Sequence, residues 1–356
     1  MSDQRKDGIS WTDETWNFLR GCSKVSAGCA HCYAETMATR FNGVGITKSG
    51  KLYDLPFEGL TTDGRWTGKV RVIADKLDAP LRWKRPRRIF CNSMSDLFHA
   101  EVPLDVIDRA WATMLLGHQH TYQVLTKRPQ TMAKYLNEPG LYDRILSAAG
   151  DIRREFPQLT GVGISNPSTM PAPWIHLGVS CENQAAADER IPLLLQCPAA
   201  VRWVSAEPLL GAIDFEAHFR SKLLPGNVWA DCLCDDIDPS DRPCFPCCAQ
   251  MGVDWVVVGG ESGPHARPMH PDWARSIRDQ CKAAGVPFHF KQHGEWLPGG
   301  FYDGFTVPDC MGAAMNNPKN QYYFEPPGGK CWRVGKKTAG HLLDGREYRM
   351  YPGDKW

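Results

Sequence analysis

The chain has 356 residues, 42% hydrophobic and 23% charged, with a formal net charge of +1. That length holds two average domains or one α/β barrel, and the balance is an ordinary soluble globular one. No apolar run is long enough to cross a bilayer and the first residues carry no apolar signal segment, so a cytoplasmic protein without a membrane role is expected. The near-zero net charge makes no global electrostatic case for nucleic acid. In a reducing compartment, 14 cysteines point to metal ligands and buried thiols more than to disulfides.

A strand-like run at residues 15–19 leads into a loop in which Cys22, Cys29 and Cys32 follow a C-x6-C-x2-C spacing. Residues 34–41 then read as a helix closed by Asn42-Gly43. Residues 42–70, rich in glycine and short polar residues, read as an insertion, and residues 82–88 form a local basic run. A strand at 88–92 ends in Ser93-Met94-Ser95-Asp96, and a helix is predicted over about 103–116, with Val106, Ile107, Ala110 and Met114 at helical spacing. The strand at 121–125 ends in Thr126-Lys127-Arg128-Pro129. A second insertion is expected at 138–173, where Gly, Pro and Ser concentrate towards the end.

Strands at 175–179 and 201–204 end in Ser180-Cys181-Glu182 and Ser205-Ala206-Glu207-Pro208. A third insertion, 217–252, carries its own cysteines. The strand at 255–258 runs into Gly259-Gly260-Glu261, and the one at 287–290 into Lys291-Gln292-His293. About seven β units, most followed by a helical pattern, predict an α/β fold: a parallel TIM-type barrel or partial (βα) barrel over residues 1–296, with an irregular C-terminal extension, 297–356, packed on it. In each unit the apolar residues come first and the polar ones last. The βα loops of a barrel converge at that end, so the polar residues would share one cavity.

Three thiolates at a strand–helix turn suit three irons of a 4Fe–4S cluster and leave the fourth iron open. The alternatives are zinc, with His31 or a distant residue as fourth ligand, and buried structural thiols. Cys232, Cys234, Cys244 and Cys247 resemble a small zinc knuckle that would staple an acidic insertion lacking a core of its own; an auxiliary cluster or free thiols are the other readings. Lys127, Glu182, Glu207, Glu261 and Lys291 all lie just past strand ends. Each alone reads as a solvated or salt-bridged residue, but five around one barrel mouth suit a zwitterionic ligand. The scattered histidines read as structural, and the scattered cysteines mostly as buried small hydrophobes.

The cysteine loop is similar to that of radical-SAM enzymes, whose usual spacing is C-x3-C-x2-C. Here the first gap is longer and His31 stands where that family has an aromatic residue. Taken with Trp11 to Asn17, Asn92 to His99, Leu125 to Pro129, Gly178-Val179-Ser180, Ser205 to Leu210, Val258 to Gly263 and Val334 to Lys337, the loop resembles a family of phage and bacterial three-cysteine-motif proteins of unassigned function, considered radical-SAM-like. The resemblance covers nearly the whole chain but leaves out the second cysteine group. It implies a 4Fe–4S cluster on Cys22, Cys29 and Cys32 and the cofactor S-adenosylmethionine (SAM), with Asn92, Ser93, Asp96, Lys127, Ser180, Glu182, Glu207 and Glu261 as candidate cofactor contacts. Lys127, Glu207 and Lys291 are the candidate catalytic groups. The partners expected are SAM, an electron donor, a nucleoside or nucleic-acid substrate and a neighbouring protein. The rival reading is a zinc-stapled barrel that binds nucleic acid or protein without catalysis.

Overall fold

In the computed structural model, which describes residues 9–47, 51–167, 170–219, 252–299, 317–324 and 330–356, seven strands form one sheet in chain order. They are β1 (Glu14–Thr15), β2 (Arg88–Cys91), β3 (Thr121–Thr126), β4 (Ile175–Ser180), β5 (Val201–Ala206), β6 (Trp255–Gly259) and β7 (Phe288–Gln292). Every pairing is parallel. The sheet curls into a half-barrel covered by helices, so of the two architectures expected it is the partial barrel. The helices are α1 (Tyr33–Arg40), α2 (Leu104–Leu116), α3 (Pro129–Leu136), α4 (Leu141–Glu155), α5 (Gln184–Leu195) and α6 (Pro271–Ala284). Local chemistry sets their ends. Asn183 caps α5 by accepting from the Ala186 amide at 3.0 Å, and α6 stops at Gly285, whose φ of 68° few other residues adopt.

The period-2 alternation of each strand divides it between two environments. One set faces the helices: Ile89, Val124, Leu177, Val179, Val204, Val256, Val258, Phe288 and Phe290 all join the main core. The other set faces the concave side, where Phe90, Trp203, Trp255 and Val257 pack around Trp11. Trp11 and Trp203 lie 5.1 Å apart, as do Trp203 and Trp255. Gly178 makes room for this layer, since a Cβ there would sit 2.4 Å from the Trp203 indole. Two residues further along each strand the same face turns polar, as Asn92, Lys127, Ser180, Ser205 and Lys291. The aromatic layer is therefore the floor of a cavity rimmed by strand ends.

The first strand is shorter than the run at 15–19 predicts. After Thr15, Trp16 and Phe18 turn into the core, and Leu19–Arg20 pairs antiparallel with Arg71–Val72. The expected insertion at 42–70 contains two small hairpins, Val44–Ile46 with Leu52–Asp54 and Thr61–Thr62 with Arg65–Trp66. That at 138–173 contains α4, which lays Leu141, Ile145, Ala149 and Ile152 against α2. Cys232, Cys234, Cys244 and Cys247 lie outside the described residues.

Part of the C-terminal extension is regular: Trp296–Pro298, Gln321–Tyr323 and Lys330–Arg333 form an antiparallel sheet, followed by the short helix α7 (Lys336–Ala339). Its last stretch runs along β7, where the Phe290 amide donates to the Tyr348 carbonyl at 2.9 Å. The Tyr351 hydroxyl donates to the Ser10 carbonyl at 3.1 Å, and Ser10 Oγ lies 2.8 Å from His289 Nε2. These segments fill the gap between β1 and β7. No helix among the described residues is long and apolar enough to cross a membrane.

Candidate cluster and cofactor site

The cavity at the strand ends has a volume of about 440 Å³. It brings together Cys22, Cys29, Cys32, Asn92, Ser93, Asp96, Lys127, Ser180, Glu207, Glu261 and Lys291. Glu182, just past β4, is not among the lining residues and instead contacts the cysteine loop at Gly28.

The loop is held from several sides. Gly21 has φ 96°, and a Cβ there would lie 2.1 Å from the Lys69 carbonyl, so only glycine fits. Ser23 Oγ lies 2.8 Å from His99 Nε2, and Arg128 donates to the Ser23 carbonyl and hydroxyl at 2.9 Å. Residues Ala27–Cys29 form a 3-10 turn, and Cys32 precedes α1. All three cysteines are free thiols, partly exposed to the cavity.

Three carboxylates brace this loop. Asp96 accepts from Thr126 Oγ1 at 2.7 Å, from the Phe98 and Lys127 amides at 3.0 Å, and from Arg128 Nη1 at 2.9 Å. Arg128 Nη1 also reaches Cys22 Sγ at 3.8 Å. Glu182 accepts from the Gly28 amide at 3.2 Å and pairs with the buried Arg190 at 3.0 Å. Burial pushes the Glu182 carboxyl up, but Ser26, Arg190, Lys127 and the Gly28 amide more than reverse this and hold it below its ordinary value. Glu261 accepts from Arg267 Nη2 at 2.6 Å and lies 3.1 Å from His31 Nδ1. Burial opposes ionisation there too, but Arg267 and His31 bring its carboxyl below the usual range. His31 thus joins the loop to β6, and Arg267 adds a bond to the Ala27 carbonyl at 2.9 Å.

On the other side a second chain of contacts runs across the strand ends. Lys127 Nζ donates to Ser180 Oγ at 2.5 Å, and Ser180 Oγ to the Glu207 carbonyl at 3.0 Å. Glu207 pairs with Lys291 at 3.0 Å and accepts from Ser205 Oγ at 3.2 Å. Gly259 permits this, because a Cβ there would lie 2.3 Å from Glu207 Oε1. Lys336, at the start of α7, also lines the cavity.

Burial pushes the Cys22 thiol up to about 11; Asp96 adds to this and Arg128 opposes it. Burial raises Cys32 as well. Metal binding here would therefore release protons. Among the described residues, no three His, Cys, Asp or Glu side chains gather closely enough for a single ion. A four-iron cube several ångströms across needs its thiolates spread around it, and three free thiols lining one cavity fit that group by chemistry and by place.

Arg128, Tyr33, Gln292 and Lys336 line the cavity but are not among the residues that sequence reasoning selects. The available signals were the Thr126 to Pro129 run for Arg128 and the Val334 to Lys337 run for Lys336. Two of the histidines expected to be structural have fixed partners: His99 Nε2 lies 2.8 Å from Ser23 Oγ, and His293 Nε2 lies 2.8 Å from the Leu342 carbonyl. Cys91, Cys181, Cys197, Cys281 and Cys331 are buried. In the basic run, Arg87 pairs with Glu14 at 2.5 Å, Arg88 pairs with Asp13 at 2.7 Å and Arg82 stacks over Phe156.

A family model described as a protein of unknown function (DUF5131) matches residues 6–352. No curated protein matches the sequence. Among solved structures, a cysteine-to-alanine variant of spore photoproduct lyase with a dinucleoside spore photoproduct is similar at a TM-score of 0.30 and 10% identity, over 90% of this chain and 68% of that one. A tyrosine-to-phenylalanine variant of the same lyase matches at 0.29 and 10%, over 90% and 68%.

Proposed function

The chain belongs to the DUF5131 family of proteins of unknown function, and we propose that it is an iron–sulfur enzyme of the radical-SAM type. One observation carries this reading: the three free cysteines of one braced loop line the same cavity as the polar ends of β2 to β7. A 4Fe–4S cluster held there would supply the one-electron reduction that splits SAM into methionine and a 5′-deoxyadenosyl radical, the electron coming from an external donor.

The chain's own residues do the rest. Cys22, Cys29 and Cys32 hold the cluster, while Asp96, Glu182 and Glu261 fix their loop. Asn92, Ser93, Lys127, Ser180 and Glu207 face the cavity with polar capacity left and meet the amino-acid end of SAM. Asn92 Oδ1 is buried without a partner and suits an ammonium donor. Lys127, Glu207 and Lys291 are the groups able to hold or move a proton beside a substrate. The aromatic floor keeps water from that side, and 440 Å³ lies within the range of small-molecule sites.

Anaerobic reconstitution tests this directly. The expected product is a brown protein absorbing near ~400 nm, with about four irons and sulfides per chain, that releases 5′-deoxyadenosine from SAM once reduced. Cys29→Ala should lose the absorbance entirely. A colourless protein with stoichiometric zinc after the same treatment would sink the reading.

A further inference from the structure

The carboxylates around the cysteine loop are all engaged by the protein, but two ammonium groups of the same cavity have no carboxylate partner at ion-pair distance among the described residues. Among the described residues, the Lys127 ammonium donates only to the neutral Ser180 hydroxyl. Lys336 lines the cavity, its ammonium has no hydrogen bond or ion pair among the described residues, and its neighbours include a third ammonium, Lys291. Glu207 offsets Lys291 at 3.0 Å, and Glu295, the other acid near Lys336, accepts from the Gly263 amide at 3.0 Å, so two carboxylates stand against the three ammonium groups Lys127, Lys291 and Lys336. This wall therefore keeps positive charge in excess beside the aromatic floor.

Next to it is an unmet acceptor. Gln292 is only 6% exposed and lines the cavity. Its Nε2 donates to the Gly260 carbonyl at 3.4 Å, which a carbonyl end could not do, and its Oε1 is buried without a partner. A buried oxygen of this kind calls for an N–H or O–H from a ligand.

We propose that Lys291, Gln292 and Lys336 form a substrate subsite for a phosphate-bearing molecule that also presents a hydroxyl or N–H donor, which makes nucleotides the substrate class. The ammonium groups take the phosphate oxygens and Gln292 Oε1 takes the sugar or base donor. The subsite stands on its own geometry; its assignment to a substrate rests on the radical-SAM reading.

Calorimetric titration of the full-length protein with inorganic phosphate, uridine 5′-monophosphate and uridine tests it. Phosphate and the monophosphate should bind, with affinity falling as salt is added, and uridine should bind more weakly. Lys336→Gln, at an exposed position, should weaken the monophosphate by about fivefold, and Lys336→Glu by more. Gln292→Leu should weaken the monophosphate but not inorganic phosphate. Equal affinities for uridine and its monophosphate, or no effect of either Lys336 variant, would overturn the subsite. So would mutual displacement of phosphate and SAM, because the ammonium groups would then serve the SAM carboxylate. Phosphate binding that persists in a protein unable to take up iron supports the subsite and counts against the cluster reading alone.

Discussion

Asp96, Glu182 and Glu261, which brace the cysteine loop, differ from Lys127, Glu207, Lys291 and Lys336, which line the cavity beside it, in how completely each is paired. Every oxygen of the first group meets a backbone amide, an arginine, a hydroxyl or a histidine. In the second group Glu207 pairs with Lys291 and accepts from Ser205, Lys127 meets only a neutral hydroxyl, and the Lys336 side chain has no such partner among the described residues. Charge taken out of water is costly unless it is paired, so the fully paired carboxylates hold a shape and the ammonium groups without a counter-charge wait for a ligand. Two neighbouring sets of charged residues thus divide the labour: one is scaffold and the other is binding surface.

The sharpest way to break this contrast is to strip a scaffold pair. Glu182 and Arg190 are 2% and 4% exposed at their side chains, so Glu182→Gln leaves a buried guanidinium without its counter-charge. A loss of about 3–5 kcal/mol in urea unfolding is expected. An unchanged midpoint would mean that the pair does not hold the loop.

Acid should act on the scaffold next. Burial lowers His176 and His293 from 6.5 to about 4. The unfolded chain then binds more protons than the folded one, so stability is full above pH 6.5 and falls as the pH drops towards 4, by up to about 3 kcal/mol per histidine. Glu182 and Glu261, held below 4.5, add their loss only beneath that value. Urea midpoints at pH 7, 5 and 4 check the order; stability that is flat down to pH 4.5 contradicts it.

The smallest structural effect belongs to the underpaired side. Lys127→Met removes one bond to a hydroxyl, and stability should change by no more than about 0.5 kcal/mol. SAM affinity should fall about tenfold or more, the worth of a charge-assisted hydrogen bond. A large loss of stability with binding intact would move Lys127 into the scaffold.

Most of the fold was legible from short-range chemistry. Strand runs such as 175–179 and 255–258 are apolar, β-branched and bounded by turns, and α2 carries its apolar residues at helical spacing, so these elements need no distant partner to be recognised. Two segments read less well. Trp16 and Phe18 look like strand continuation, yet each is drawn into the core by residues far along the chain. Residues 141–155 lie in a stretch whose later Gly, Pro and Ser content suggests a loop, while α2 offers their apolar stripe a surface.

The sequence by itself determined the seven βα units, the three-thiol loop and the polar strand ends, because periodicity and residue chemistry are local properties. Only the tertiary structure decided which partner each polar end meets. Glu182 and Glu207 look alike in sequence, each just past a strand. One pairs with Arg190 on the following helix and accepts from the Gly28 amide 154 residues away, behind the cavity wall, and the other pairs with Lys291 on the wall itself, which Lys336 also lines. Pairing is a matter of distance in space, and the curl of the sheet sets those distances.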